Sequence, residues 1–261
     1  MIDLHNHILP DLDDGAADIG ESLDIARQFV AEGVSAIAAT PHLNLSARAP
    51  VTRDAVERAL TEVRHALGRE GISLDVAQGE EVYLVPEVLP ALKAGQACTL
   101  GESRGVLVEL PFEVRPVYLD DLVFQMQLAG YTVILAHPER YRFVQRDLSA
   151  VESLVTRGVI LQATAPALHG EYGPTVKRTA ENLLQHGLYA LAASDRHHPG
   201  PHRSLAQMHD RIAALTNASL ADLLLRENPQ RVLAGHAVVP PEWTPTTRKK
   251  GFFGRFRSGP S

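Results

Sequence analysis

Cysteine is almost missing from this 261-residue chain. The single thiol, Cys98, excludes an intrachain disulfide and any cysteine-built zinc cage. Long apolar runs are missing too. The longest are of strand length, about 4–8 residues, where a bilayer span needs about 20. No basic segment followed by an apolar stretch opens the chain, which starts Met1-Ile2-Asp3-Leu4-His5, so a soluble, cytoplasmic protein is expected. An excess of basic residues is also lacking. Net charge is −6, and setting aside Arg248, Lys249, Lys250, Arg255 and Arg257 near the end leaves the body at −11. Such a body argues against a nucleic-acid-binding surface.

What is present is enough for one large core. Hydrophobic residues make up 45% and charged residues 21%, which argues against global disorder. Short apolar runs alternate with amphipathic stretches, the pattern of βα units. Strands are expected at Ile2–Leu4, Ala36–Ala39, Leu74–Gln78, Val106–Glu109, Thr132–Ala136, Val159–Gln162 and Tyr189–Ala193. Helices are expected at Ile19–Ala31, Arg53–Arg69, Pro116–Ala129, Leu148–Thr156, Thr175–Gln185, Ser204–Leu215 and Ala221–Arg226, the last ending at Asn228-Pro229. Gly33, Gly71, Gly130, Gly158 and Gly187 follow helices as left-handed caps would. Seven strands with crossover helices point to a single-domain α/β fold whose parallel sheet closes into a barrel, eight being the commoner strand number. Residues 1–239 are read as that domain, and residues 240–261, with Pro240, Pro241 and Pro245 ahead of basic residues, as a mostly disordered extension.

Polar clusters fall at the strand ends. His5 and His7 follow the first strand, His42 the second, Glu80 and Glu81 the third. Glu109 ends the fourth, His137 follows the fifth, and Asp195 and His197 follow the last. In barrels that end is the catalytic face. An extended backbone sends residues i and i+2 to one side, so His5-Asn6-His7 and Asp195-Arg196-His197 each present a pair of donors together. Imidazole with carboxylate suits Mn²⁺, Fe²⁺ or Zn²⁺. Two such ions about 3.5–4 Å apart can activate water and clamp phosphoryl oxygens. His65, His169, His186, His209 and His236 read as helix-face or loop residues, and His198 and His202 as solvated loop residues near the site.

Several segments resemble the polymerase-and-histidinol-phosphatase (PHP) superfamily, and more narrowly its bacterial capsule-type tyrosine-protein phosphatases. They are His5-Asn6-His7-Ile8-Leu9-Pro10, Asp13-Asp14-Gly15-Ala16, Ala39-Thr40-Pro41-His42, Gly79-Glu80-Glu81-Val82, Val108-Glu109-Leu110-Pro111-Phe112, Ala136-His137-Pro138-Glu139-Arg140-Tyr141 and Ala193-Ser194-Asp195-Arg196-His197. The resemblance implies a distorted seven-stranded barrel with up to three divalent ions, often Mn²⁺. By motif, His5, His7, Glu81 and Asp195 hold the first ion. Glu81, Glu109 and His137 hold the second, and Asp14, His42 and His197 the third. Asp13 competes with Asp14, and Glu80 with Glu81; the motif favours Asp14 and Glu81, leaving Glu80 as a surface or second-layer group. Arg140 is expected on the substrate phosphate, with pairing to Glu139 as its alternative, and Arg203 is a further phosphate contact. Phe112, Tyr118 and Tyr141 are candidates for a pocket taking an aromatic substrate, or for packing.

The implied activity is hydrolysis of phosphotyrosine on a protein, with a membrane-associated bacterial tyrosine kinase of capsule or exopolysaccharide synthesis as partner. Cys98 lacks a Cys-x₅-Arg loop, so direct hydrolysis rather than a phosphocysteine route is expected. A histidinol phosphatase, a phosphodiesterase and a non-catalytic binder of a phosphorylated tail are the rival readings. Two departures from the family stand out: Ala163-Thr164-Ala165 where an Asn-containing turn is usual, and Arg196 where a small residue is usual. Arg196 is read as altering substrate access or adding a phosphate contact. The basic-aromatic stretch Lys249–Arg257 is a candidate for weak contact with anionic lipid, against a plain solubilising tail.

Overall fold

The structure, a computed structural model, describes residues 1–200 and 204–242. Nine short strands appear in it: β1 (Ile2–Asp3), β2 (Ala36–Ala38), β3 (His42–Leu43), β4 (Asp75–Ala77), β5 (Glu81–Tyr83), β6 (Gly105–Glu109), β7 (Thr132–Ala136), β8 (Ile160–Thr164) and β9 (Tyr189–Ala193). All pairings are parallel, in a three-stranded sheet β1-β2-β4 and a six-stranded sheet β3-β5-β6-β7-β8-β9. The second and third expected strands appear as β2 and β4, and each is followed, after a short gap, by a further strand, β3 or β5, that the sequence pattern does not mark. Pro41, which has no N–H to give, falls in the first gap, and Gly79 in the second. Ladder bonds therefore stop at Ala39, whose N–H reaches Ala77 O, and resume where Glu81 N–H reaches Pro41 O, each at 3.0 Å. Among the described residues one isolated bridge, Asn6↔Arg196, joins the outer edges of the two sheets, and no continuous ladder closes the ring.

Helices cover the sheets. Asp18 caps α1 (Ile19–Ala31) by accepting the Glu21 N–H, and Thr52 caps α2 (Arg53–Glu70), which stops at Gly71 in the left-handed region (φ 65°). The chain continues through α3 (Val88–Lys93), α4 (Leu119–Leu128), a 3₁₀ turn at Pro138–Arg140, α5 (Arg142–Arg146), α6 (Ser149–Thr156), α7 (Ala165–His169), α8 (Gly173–Gln185) and α9 (Leu205–Leu215). The last expected helix does not end at Asn228-Pro229. It starts as α10 (Ala218–Asp222), widens into a π turn at Leu223–Glu227 and runs on as α11 (Asn228–Leu233). The wide turn lies just before Pro229, which lacks the donor a regular turn would use there. Helix α4 starts at Leu119 rather than Pro116, after a turn in which Leu119 N–H bonds Pro116 O at 3.2 Å.

The main core joins α1, α2, α4, α8 and α9 to the outer strand faces through Phe29, Leu60, Met126, Leu183 and Ile212. A second, smaller cluster takes Ala38, Leu107, Ile134, Ile160 and Leu191 from strands of both sheets, with Leu4 just after β1. No helix among the described residues is long and apolar enough to cross a membrane.

Candidate metal centre

His5 and His7 follow β1, Glu109 ends β6, His137 follows β7, and Asp195 and His197 follow β9, while His42 and Glu81 open β3 and β5 beyond the ends of β2 and β4, and the loop after the first strand adds Asp14. The structure brings all nine together around Glu81. Its Oε2 is 3.1 Å from His5 Nε2, 3.1 Å from His42 Nδ1 and 3.6 Å from His7 Nε2, and its Oε1 is 2.7 Å from His137 Nε2. Asp195 Oδ1 lies 3.5 Å from His5 Nε2 and 3.8 Å from His7 Nε2. Glu109 lies 3.7 Å from His42 and 4.0 Å from His137. Asp14 Oδ1 is 3.5 Å from both His42 Nε2 and His197 Nε2. Three groups of donors are compact enough for one ion each: His5, His7, Glu81; His42, Glu81, Glu109; and His7, Asp14, His42, His197.

A layer behind these groups aims them. His5 Nδ1 donates to Gln162 Oε1 at 2.9 Å and His7 Nδ1 to Asp13 Oδ2 at 2.7 Å, which turns both Nε2 atoms inward. Asp13 also accepts the N–H of His42 and of Gly15, so it faces the backbone while Asp14 faces the cluster. Gly15 permits this loop: a Cβ there would sit 2.2 Å from the His7 carbonyl oxygen. His137 and Asp195 hold left-handed backbone (φ 35° and 51°), unusual for residues other than glycine and typical of functional positions.

The electrostatics are those of a site built for cations. Burial disfavours a charged His5, yet Glu81 and Asp195 outweigh it and push its pKa up to about 10. His42 behaves likewise, at about 9, through Glu81 and Glu109. Burial works against the Glu81 carboxylate, but His5 and His137 hold it well below its usual range. Burial and the charge of Glu81 raise Glu109. Burial and neighbouring His7 lower His197 to about 4. Burial would also raise Asp13, but its bonds to His7, His42 and Gly15 bring it to about 2. Protons here stand where divalent charge would stand. Among the described residues the buried His5 Nε2, His7 Nε2 and His42 Nδ1 have no partner in hydrogen-bond geometry, although carboxylate oxygens lie beside each. Lone pairs converging on shared carboxylates fit divalent ions of the imidazole-and-carboxylate class.

A cavity of about 500 Å³ opens over the cluster. Arg140 lines it with its guanidinium between two rings, 4.2 Å from Phe112 and 4.5 Å from Tyr172. Pairing of Arg140 with Glu139 is not what the geometry shows: Glu139 is wholly buried and accepts from Thr164 and Tyr189 instead. Arg203 and His202 lie outside the described residues, as does the stretch Lys249–Arg257.

The sequence profile of the CpsB/CapC family, capsular polysaccharide synthesis, matches residues 1–234. The chain belongs to the CpsB/CapC family. It is 33% identical to the tyrosine-protein phosphatase YwqE of Bacillus subtilis, over 97% of this chain and 100% of that one. It is 26% identical to the tyrosine-protein phosphatase CpsB of Streptococcus pneumoniae, over 89% of this chain and 98% of that one. It also superposes with a TM-score of 0.87 and 32% identity, over 94% of this chain and 100% of the other, on a solved structure from work on B. subtilis YwqE and S. pneumoniae CpsB, described as metal-dependent tyrosine phosphatases.

At several positions the structure decides between or corrects the sequence readings. Arg196 does not line the cavity; it is wholly buried and points away, onto α1 and its cap. Glu80 is not on the surface but fully buried, accepting the Cys98 N–H at 2.6 Å. Tyr141 and Tyr118 are packing residues whose hydroxyls donate to Ala136 O and Leu84 O, so of the three aromatic candidates only Phe112 lines the cavity. Tyr172, at the start of α8 with its hydroxyl 3.4 Å from Asp195 Oδ2, was not singled out by the sequence. Neither was Gln162, in the middle of β8 and directly before the Ala163-Thr164-Ala165 segment.

Proposed function

We propose that this chain is a metal-dependent protein-tyrosine phosphatase, acting on the phosphotyrosines of a membrane-associated bacterial kinase in capsule or exopolysaccharide synthesis, in the cytoplasm. The observation that carries the reading is the convergence of buried, unpartnered imidazole nitrogens on the Glu81 carboxylate under a cavity that holds a ring-flanked arginine. His5, His7, Glu81 and Asp195 would hold one ion, Glu81, Glu109 and His137 a second, and Asp14, His42 and His197 a third, with Mn²⁺ proposed and Fe²⁺ and Zn²⁺ as alternatives. Bound divalent ions would supply a water of lowered pKa and charge against the phosphoryl oxygens. Arg140 presents paired donors to those oxygens, and the Phe112 and Tyr172 rings hold its guanidinium in place for them. The phenol of tyrosine (pKa about 10) leaves with little acid help, which fits a cavity whose acidic groups are engaged with imidazoles.

We further propose that the chain closes as a seven-stranded PHP-type barrel over residues 1–239, with 240–261 as a tail outside it. Supporting this, Thr40 N–H bonds Asn6 O at 2.8 Å, Asp195 N–H bonds His5 O at 2.9 Å and His7 N–H bonds Arg196 O at 2.8 Å, so the segment after β1 lies between both sheets.

The deciding experiment compares a phosphotyrosyl peptide, histidinol phosphate and a phosphodiester as substrates, with chelator treatment and Mn²⁺ add-back. The highest kcat/KM is expected on the peptide, lost on chelation and restored by Mn²⁺. Full activity in the stripped enzyme, preference for histidinol phosphate, or peptide binding without turnover would each overturn the reading.

A further inference from the structure

We propose that Arg196 is a positioning residue: with Gln28 and Glu32 of α1 and its cap it clasps the segment that carries His197, and so sets the ion site of Asp14, His42 and His197. This rests on the reading of the cluster as a metal centre. Arg196 stands between Asp195 and His197, yet its side chain leaves in the opposite direction. Its Nη1 donates to Gln28 Oε1 at 3.1 Å, its Nη2 to Glu32 Oε1 at 2.6 Å, and its guanidinium lies 4.6 Å from the Phe29 ring centre. The same two acceptors hold the chain further on. Gln28 Oε1 takes the Gly200 N–H at 3.0 Å, and Glu32 Oε2 takes the Leu205 N–H at 2.7 Å. One end of one helix therefore grips positions 196, 200 and 205, and His197 lies inside that span.

The local cost of this arrangement argues that it has a purpose beyond holding α1. Glu32 is the C-cap of α1, where the helix dipole disfavours a carboxylate, and the last turn carries no basic residue. Arg196 is a wholly buried guanidinium, unfavourable unless paired. Each group offsets the other, and what the pair gains is a fixed path for the backbone after Asp195. His197 is then held with its ring stacked 3.9 Å from His7 and its Nε2 3.5 Å from Asp14. Two local rules broken at one point, in mutual compensation, are the mark of a positioned site.

The test is Mn²⁺ binding by the full-length chain, measured by equilibrium dialysis with metal analysis. Arg196→Met is expected to weaken one class of bound Mn²⁺ about 10–100-fold, the usual cost of losing a group that orients a ligand, and to leave the other classes nearly unchanged. His197→Ala should lose the same class, and adding Arg196→Met to it should cost that class nothing more. Arg196→Lys should recover most of the loss. Glu32→Gln, a milder change at a partly exposed carboxylate, should show the same selective weakening and decides the matter if Arg196→Met does not fold. Unchanged binding in the folded variants, or equal weakening of every class, overturns the clasp. A wild-type chain that takes up no Mn²⁺ overturns the metal-centre reading instead.

Discussion

Glu80 and Glu81 are adjacent, of identical chemistry and both buried, so exchanging each for glutamine separates the metal centre from mere burial. Glu81→Gln keeps the shape but removes the charge that four imidazoles face at 2.7–3.6 Å. Removing one partner of a buried charged pair costs about 3–5 kcal/mol. At about 1.4 kcal/mol per factor of ten, that is roughly two to three and a half orders of magnitude in affinity for any ion Glu81 touches. Two of the three compact donor groups contain Glu81, so two ions should be weakened together. Glu80 faces Cys98 instead, its Oε2 accepting that N–H at 2.6 Å, and burial raises its pKa to about 7. Glu80→Gln should therefore leave Mn²⁺ stoichiometry intact and act on thermal stability alone. The assay is metal content after dialysis against low-micromolar Mn²⁺, with peptide phosphatase activity alongside. Equal Mn²⁺ content in Glu81→Gln and wild type, or a larger loss in Glu80→Gln, would refute the assignment of the first carboxylate as the shared ligand and the second as packing.

Two further expectations follow from the same geometry. In the ion-free protein His5 and His42 titrate near 10 and 9, so below pH 9 both must shed protons before they ligate an ion. Mn²⁺ affinity should rise between pH 7 and 9 and level off above 10, with proton release visible by calorimetry in buffers of different ionisation enthalpy; flat affinity would contradict it. The sign for folding is opposite. Imidazoles whose pKa is raised stabilise the ion-free fold fully below the unfolded value of about 6.5, and that contribution fades as pH climbs through 9 to 10. Melting of chelated protein across that range checks it. Arg140→Lys should lower kcat/KM for the peptide about 10–100-fold, the scale of hydrogen bonds to a charged group at about 1.5–3 kcal/mol, and weaken inhibition by inorganic phosphate in step; unaltered phosphate inhibition would remove Arg140 from the phosphate site.

How much of this was legible in the sequence turns on the parity of extended chain. Alternation along a strand pairs His5 with His7 and Asp195 with His197, and that rule located four members of the cluster from spacing alone. The short strands β3 and β5, beyond Pro41 and Gly79, were not legible, because pieces of two or three residues carry no periodicity. Tyr172 and Gln162 escaped for a different reason: each reaches the site from an element whose own pattern only reports packing, and only tertiary structure sets Gln162 beneath His5. Arg196 belongs to a pattern of its own. Position 6 faces away between His5 and His7, as does position 80 beside Glu81, and position 196 turns away in the same sense although Asp195 has left-handed backbone. The structure shows each of these turned away to a partner elsewhere in the fold: Asn6 to Asp3 and Ala38 O, Glu80 to Cys98, Arg196 to Gln28 and Glu32. Asn6 and Arg196 are also the two residues of the isolated bridge across the edges of the sheets. The residues between the ligands therefore attach the ligand-bearing segments to the body of the fold. A buried polar residue alternating with candidate ligands is then itself a signal, readable before any coordinates, of how rigidly a metal centre is mounted.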